Sequence, residues 1–342
     1  MKVPRVLIIA GSDSGGGAGI QADIKTVTML GGHAMTAITA LTAQNTLAVE
    51  DVLPVPTDIV LRQVDVVVSD LGVDAVKIGM IGSPETAHAV AERLQGIGDV
   101  PIVFDPVMIA SSGSVLADDA TIAAFERLMR SATVTTPNVP ELQRLSGGSG
   151  EESARAIAKR YGCAVLAKGG DSPDEEIVDV LVQADGEATR WTGARIHTRH
   201  THGTGCTLAS AIAVHLGHGR GLPQAVELAR SFVRRAMLAA PGFGAGAGPL
   251  GHSAAGTDEM NLNHVTLPAL DYAASVAFYR ALGLTQIVDS PDRYARFECP
   301  GGSTLSIHVE EGMDAGGATI GFESADLDAW VERLVAAGME FT

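Results

Sequence analysis

Short apolar runs, each followed by an amphipathic stretch, recur through most of the chain, and this alternation limits the fold more than any other feature. Runs at 6–10, 34–40, 75–78, 102–104, 134–136, 165–167 and 177–182 read as strands. Stretches at 18–31, 57–71, 84–95, 118–131, 150–161, 204–218 and 223–239 have helical spacing. The pattern predicts an α/β fold, with a mainly parallel sheet between layers of helices. Ligands of such sheets sit beyond the carboxyl ends of the strands. The residues just after each run are therefore the functional candidates.

The chain has 342 residues and a net charge of −16, and the two are unevenly linked. Residues 257–342 carry 4 basic and 14 acidic side chains and 8 of the 14 aromatics. Between the two compositions lies a Gly/Ala stretch, 241–256, which reads as a flexible linker. The expected domains are 1–250, a linker at 251–260, and a smaller module at 261–342. The acidic balance argues against nucleic acid or an anionic membrane surface as partner. Cys163, Cys206 and Cys299 are odd in number and widely spaced, so they give neither a disulfide framework nor a Cys-x-x-Cys metal site. No apolar run approaches the length of a membrane span or a signal-peptide core, and a cytoplasmic location is the expectation.

The loop Gly11-Ser-Asp-Ser-Gly-Gly-Gly-Ala-Gly19 follows the first run and opens a helix. It lacks the Gly-Lys-Ser/Thr ending of a Walker A loop and reads either as a tight turn or as backbone brought close to a ligand. Asp23 and Gln44 are a carboxylate and a carboxamide that can read the edge of a heterocycle. Asp105 ends another run and suits a cation. Asn138 and Glu141 add hard oxygens, although Glu141 also suits the positive end of a helix. Lys168, beside Gly169 and Gly170, suits a phosphate. Gly203-Thr-Gly-Cys206 opens a strongly apolar helix whose first amides form an anion hole. Cys206 in that first turn is either a thiolate of lowered pKa that acts as general base or a small buried residue.

Taken together, Gly11–Asp23, Gln44-Asn-Thr46, Val76-Lys-Ile-Gly-Met80, Asp105-Pro-Val-Met108, Thr136-Pro-Asn-Val-Pro-Glu141, Lys168-Gly-Gly170 and Thr201-His-Gly-Thr-Gly-Cys206 resemble the hydroxymethylpyrimidine/phosphomethylpyrimidine kinases of thiamine biosynthesis in order and spacing. The resemblance spans roughly residues 3–250. It implies a ribokinase-like α/β/α sandwich and two ATP- and Mg²⁺-dependent phosphorylations, first of 4-amino-5-hydroxymethyl-2-methylpyrimidine and then of its monophosphate. It also implies that Gly11, Ala18, Asp23, Gln44, Met80 and Val107 contact the pyrimidine. Lys168 would meet ATP, and Asp105, Asn138 and Glu141 would organise Mg²⁺. Gly203, Thr204, Gly205 and Cys206 would form the catalytic anion hole. Ser14 and Gly15 depart from the Pro and Ser common in the family, without changing loop length. A homodimer is a further expectation. The competing expectations are a pyridoxal kinase and a non-catalytic pyrimidine-binding regulator.

In the second module, Asn263–Leu267 reads as a strand, 271–282 as a helix ending at Gly283, and 294–298 and 303–309 as strands. The order partly repeats at 318–323 and 327–337. Asn263-His-Val and Val276-Ala-Phe-Tyr-Arg-Ala-Leu-Gly-Leu284 resemble the glyoxalase/bleomycin-resistance (vicinal oxygen chelate) family, built of βαβββ units. The resemblance makes His264 and Glu310 candidate ligands for a divalent metal. The second unit stops before its last strands, so an incomplete α+β module is expected. The other roles open to it are oligomerisation and ligand sensing.

Overall fold

The computed structural model describes residues 2–109, 113, 115–254, 261–299, 303–309 and 319–323, with 328, 331 and 335. It divides into two compact units, Met1–Thr257 and Asp258–Thr342.

In the first unit the strands are β1 (Arg5–Asp13), β2 (His33–Gln44), β3 (Val49–Pro54), β4 (Ala75–Ile78), β5 (Ile102–Phe104), β6 (Val134–Thr135), β7 (Ala164–Ala167), β8 (Glu176–Val182) and β9 (Ala188–Ala194). They form one sheet in the order β3-β2-β1-β4-β5-β6-β7-β8-β9. The pairings from β2 through β7 are parallel, and β3, β8 and β9 are antiparallel additions at the two ends. The helices are α1 (Gly19–Met29), α2 (Thr57–Leu71), α3 (Pro84–Leu94), α4 (Asp119–Ser131), α5 (Val139–Ser146), α6 (Gly150–Tyr161), α7 (Thr204–Gly217) and α8 (Leu222–Leu238).

Alternation along β1 divides the core. Leu7 and Ile9 pack with Val60, Val64, Val90, Phe125, Leu128 and Ile157 from α2, α3, α4 and α6. Val6, Ile8 and Ala10 pack on the other face with Ile20, Val27, Ile212 and Phe232 from α1, α7 and α8. A period of two in a strand buried on both faces gives a three-layer sandwich. Because β1 lies between β2 and β4, the strand order reverses at β1/β4, where a crevice opens beyond the carboxyl ends.

The described part of the Gly/Ala stretch, 241–254, expected as a flexible linker, is instead packed onto the first unit. The Gly251 amide donates to the Ala236 carbonyl at 2.8 Å, and Leu250 and His252 are buried. A Cβ on Gly246 would stand 2.0 Å from the Thr46 carbonyl oxygen. Glycine is used here for close approach rather than for flexibility, and composition alone does not separate the two. The first unit therefore runs past the expected boundary at 250.

In the second unit β10 (Asn261–Ala269), α9 (Tyr272–Ala281), β11 (Thr285–Ser290), β12 (Tyr294–Glu298), β13 (Thr304–Val309) and β14 (Thr319–Glu323) give a sheet ordered β11-β12-β13-β10-β14. Ala269, Val276, Ala295, Phe297 and Ile307 form its core. Most of the helix expected at 327–337, and Glu310, lie outside the described residues. Among the described residues no helix is long and apolar enough to cross a membrane.

Candidate active site

The crevice at β1/β4 is a cavity of about 1230 Å³, more than a single drug-sized ligand requires. Gly11, Ala18, Gln44, Met80, Val107, Asp105, Asn138, Glu141, Lys168, Gly203, Thr204, Gly205 and Cys206 all line it. The strand ends explain this convergence. Gly11 leaves β1 and Met80 follows β4, so close that a Cβ on Gly11 would stand 3.0 Å from Met80 Sδ. Asp105 follows β5 and Lys168 follows β7.

Two helices begin at the cavity, α1 after Ala18 and α7 after Gly203, and neither has a side-chain cap. At α1 the Ala18 amide already donates to Asp13 and the Gly19 backbone acts on Cys206. At α7 the Thr204 amide donates to the Thr201 carbonyl at 3.3 Å, so the next amides of α7 are the ones suited to an anion, with the dipole favouring negative charge. Gly203 has φ 85°, and a Cβ there would lie 1.9 Å from the Gly17 carbonyl oxygen. Position 203 therefore excludes any side chain, on both backbone and space.

Lys168 Nζ donates to Asp105 Oδ1 at 2.9 Å, and Thr136 Oγ1 donates to the same oxygen at 2.8 Å. A Cβ on Gly205 would lie 3.3 Å from Asp105 Oδ2 and 3.4 Å from Lys168 Nζ, so the pair borders the start of α7. Burial works against the charge on Lys168, but Asp105 and Glu141 outweigh it and raise the pKa. Asn138 and Glu141 form a reciprocal capping box at the start of α5. Burial pushes the Glu141 carboxyl up to about 7; Lys168 opposes this and Asp105 adds to it.

One expectation fails here, and one of the two readings left open for Cys206 loses its support. Asp23 does not line the cavity. It is fully buried beneath the wall, accepting from Lys77 Nζ at 2.8 Å and Ser210 Oγ at 2.7 Å. A position one turn into α1 faces the sheet, and that turns the carboxylate inward. Cys206 lines the cavity, but its thiol is not lowered. Burial pushes it up to about 11, Lys77 and the Gly19 backbone pull it down, and Asp23 and Asp105 add to the rise. Loss of water outweighs the helix dipole, so the resting group is a thiol rather than a thiolate.

Sequence reasoning assigned no role to Lys77, Asp13 or His202. Lys77 is fully buried yet its side chain reaches the cavity wall; a Cβ on Gly79 would lie 2.7 Å from its ammonium. A lysine inside the buried strand Ala75–Ile78 was the available signal. Asp13 Oδ1 accepts from the Gly15 amide, and Oδ2 from the amides of Gly17 and Ala18 and from His202 Nε2. Arg195, donating to the carbonyls of Asp174 and Gly170, braces the loop after Lys168.

In the second unit His264 Nδ1 lies 2.6 Å from Thr304 Oγ1, and Nε2 lies 3.0 Å from Thr266 Oγ1 and 3.1 Å from Ser306 Oγ. Both ring nitrogens are committed to hydroxyls. No group of three or more His, Cys, Asp or Glu that could hold a metal occurs among the described residues.

Residues 13–251 match the phosphomethylpyrimidine kinase family, and 261–342 match the glyoxalase/bleomycin resistance protein/dioxygenase superfamily. The chain is 46% identical over 261 residues to a thiamine biosynthesis bifunctional protein of Geobacter sulfurreducens, covering 74% of this chain but only 53% of that protein. It is 40% identical to the hydroxymethylpyrimidine/phosphomethylpyrimidine kinase of Bacillus subtilis, covering 76% of this chain and 99% of the relative. Among solved structures, Bacillus subtilis pyridoxal kinase in complex with ADP superposes with a TM-score of 0.68 at 32% identity, covering 74% of this chain and 98% of that one. The phosphomethylpyrimidine kinase of Clostridium difficile gives 0.59 at 36% identity, covering 69% and 99%.

Proposed function

This chain belongs to the phosphomethylpyrimidine kinase family, and we propose that it uses ATP to phosphorylate 4-amino-5-hydroxymethyl-2-methylpyrimidine and then the resulting monophosphate, in thiamine biosynthesis. The observation that carries this reading is the meeting, in one cavity, of the uncapped start of α7, the Lys168–Asp105 pair and the carboxamide of Gln44.

In the proposed reaction the substrate hydroxyl oxygen bonds to the γ-phosphorus of ATP. The bond from that phosphorus to the bridging oxygen breaks, and ADP leaves. The amides of Gly203–Cys206 stabilise charge on the transferring group, and Lys168 neutralises the nucleotide phosphates. Gln44 holds the heterocycle edge, with Ala18, Met80 and Val107 against the ring. A loose transition state asks little of a base. With Cys206 a resting thiol, the hydroxyl proton passes to the phosphoryl oxygens or to water. Cys206 itself fills the space beside the reacting hydroxyl. Lys77, charged and paired with Asp23, stabilises the floor below.

Asp105 and Glu141 are too few for a dedicated metal cage, but they suit Mg²⁺ held mainly through waters and nucleotide phosphates. Bound there, Mg²⁺ would supply charge neutralisation. An ATP-dependent reaction of this kind suits the cytoplasm.

Phosphorylation of pyridoxal is a second reading, supported by the higher TM-score of the pyridoxal kinase. ATP consumption with hydroxymethylpyrimidine, pyridoxal and ribose separates the readings. The highest kcat/KM is expected with the pyrimidine. Turnover of pyridoxal alone would replace the first reading by the second, and turnover of none would remove both.

A further inference from the structure

His202 Nε2 faces two groups at once, Asp13 Oδ2 at 3.0 Å and the Gln44 side-chain nitrogen at 3.3 Å. Asp13 and His202 are 3% and 6% exposed, so the conflict is not relieved by bulk water. All four groups around the Asp13 carboxylate are donors, three of them backbone amides that can do nothing else. Burial favours the neutral acid, but the donors from His202, Ala18 and Gly15 prevail and hold its pKa below the usual value. His202 Nε2 must therefore carry its proton toward Asp13, and it has none of its acceptor capacity left for Gln44.

The other end of the carboxamide is constrained as well. Thr42 Oγ1 lies 2.9 Å from the Ser12 carbonyl, which can only accept, and 3.3 Å from the Gln44 side-chain oxygen. The shorter contact takes the hydroxyl proton, leaving Thr42 Oγ1 an acceptor toward Gln44. Donor faces donor at one end and acceptor faces acceptor at the other. A half-turn of the carboxamide removes both conflicts, bringing its NH₂ to Thr42 and placing its oxygen beside the His202 N–H, whose one proton it shares with Asp13 as the longer, weaker arm.

We infer that Asp13, acting through His202, and Ser12, acting through Thr42, fix which way round Gln44 presents its carboxamide, and so act as positioning residues for substrate selection. The fixed edge accepts near His202 and donates near Thr42. It fits a ligand with an exocyclic amine beside an unprotonated ring nitrogen, in one register only. A ligand offering an oxygen acceptor at the amine position meets the carboxamide oxygen and is disfavoured. The inference rests on Gln44 being the substrate-reading residue of the proposed reaction.

The test uses His202→Leu and Thr42→Val in the full chain, each also on a Gln44→Met background. Each single variant is expected to raise KM for hydroxymethylpyrimidine about tenfold, about 1.4 kcal/mol of lost orientation. KM for ATP should stay unchanged, and preference over pyridoxal should fall. His202→Gln, whose amide still donates to Asp13, is expected to restore KM. On the Gln44→Met background neither substitution should add anything. Unchanged pyrimidine KM in folded single variants, or effects that persist without Gln44, would overturn the inference. Imidazole ¹⁵N spectroscopy of the wild-type chain is a substrate-independent arm. A proton on Nε2 of His202 is expected, and a ring with Nε2 unprotonated overturns the inference. An inactive chain with Nε2 protonated would sink the functional reading, and with it the role in substrate selection, while the fixed orientation of the carboxamide would stand.

Discussion

Replacing Lys77 by Met tests the buried pair beneath the site. Lys77 and Asp23 are both fully buried and 2.8 Å apart. Burial opposes charge on both; Asp23, Cys206 and Asp105 nevertheless keep the pKa of Lys77 raised, so the shared proton sits on the amine. Breaking a buried ion pair by removing one partner costs about 3–5 kcal/mol, because the other charge is stranded. In Lys77→Met, Asp23 would retain one donor, Ser210 Oγ at 2.7 Å. The carboxyl can escape by protonating, which from its unfolded pKa near 3.9 costs about 4 kcal/mol at pH 7. That cost caps the loss, so about 3–4 kcal/mol is expected at pH 7. The sign of the pH dependence follows. Asp23 in the variant would have a folded pKa above its unfolded value, and it destabilises increasingly as pH rises toward the folded value. Lowering the pH from 7 to 5 should therefore recover up to about 2–3 kcal/mol. Urea unfolding of the full chain, compared with wild type at each pH, measures this. The double variant Lys77→Met/Asp23→Leu, with no charge left to strand, should return to within about 1 kcal/mol of wild type. A single variant within about 1 kcal/mol of wild type at pH 7, or a double variant as unstable as the single, would refute the reasoning.

Three further outcomes are expected. Glu141, with its carboxyl raised to about 7, is neutral in acid, so kcat/KM for MgATP should climb through about pH 7 and Glu141→Gln should flatten that profile. Its folded pKa exceeds its unfolded one, so its contribution to stability is present in acid and lost as pH rises from about 4.5 to 7. Gly203→Ala should abolish turnover and cost about 1–3 kcal/mol in urea unfolding, since its Cβ would sit 1.9 Å from a carbonyl oxygen at φ 85°. Cys206, with its thiol raised to about 11, should react slowly with iodoacetamide at pH 7.5 and faster with each unit of pH, and Cys206→Ala should keep kcat within about tenfold of wild type; a reaction rate independent of pH would restore the thiolate.

The sandwich was legible because its central strands are buried on both faces and read as apolar runs. The strands that were missed explain themselves. Val49–Pro54 and Ala188–Ala194 close the two ends of the sheet, and Thr285–Ser290 lies at the end of the other; none of the three has a fully buried residue, so none carries an apolar run of the kind that marks the central strands. Most site residues were legible because they follow strands directly. Asp23 was misread because sequence gives its helix but not the direction in which that helix turns it. Its partner Lys77, far along the chain, becomes visible only once β4 lies beside β1. For Cys206 the sequence left a thiolate and a small buried residue both open, because it shows the helix start but not the burial that outweighs it.

Phosphorus NMR of the purified full chain with MgATP and hydroxymethylpyrimidine tests the central claim most directly. The account predicts loss of the γ-phosphate signal of ATP with the growth of a pyrimidine phosphomonoester, followed by a diphosphate ester. ATP left intact, or split to ADP and inorganic phosphate with no phosphorus on the pyrimidine, would contradict it.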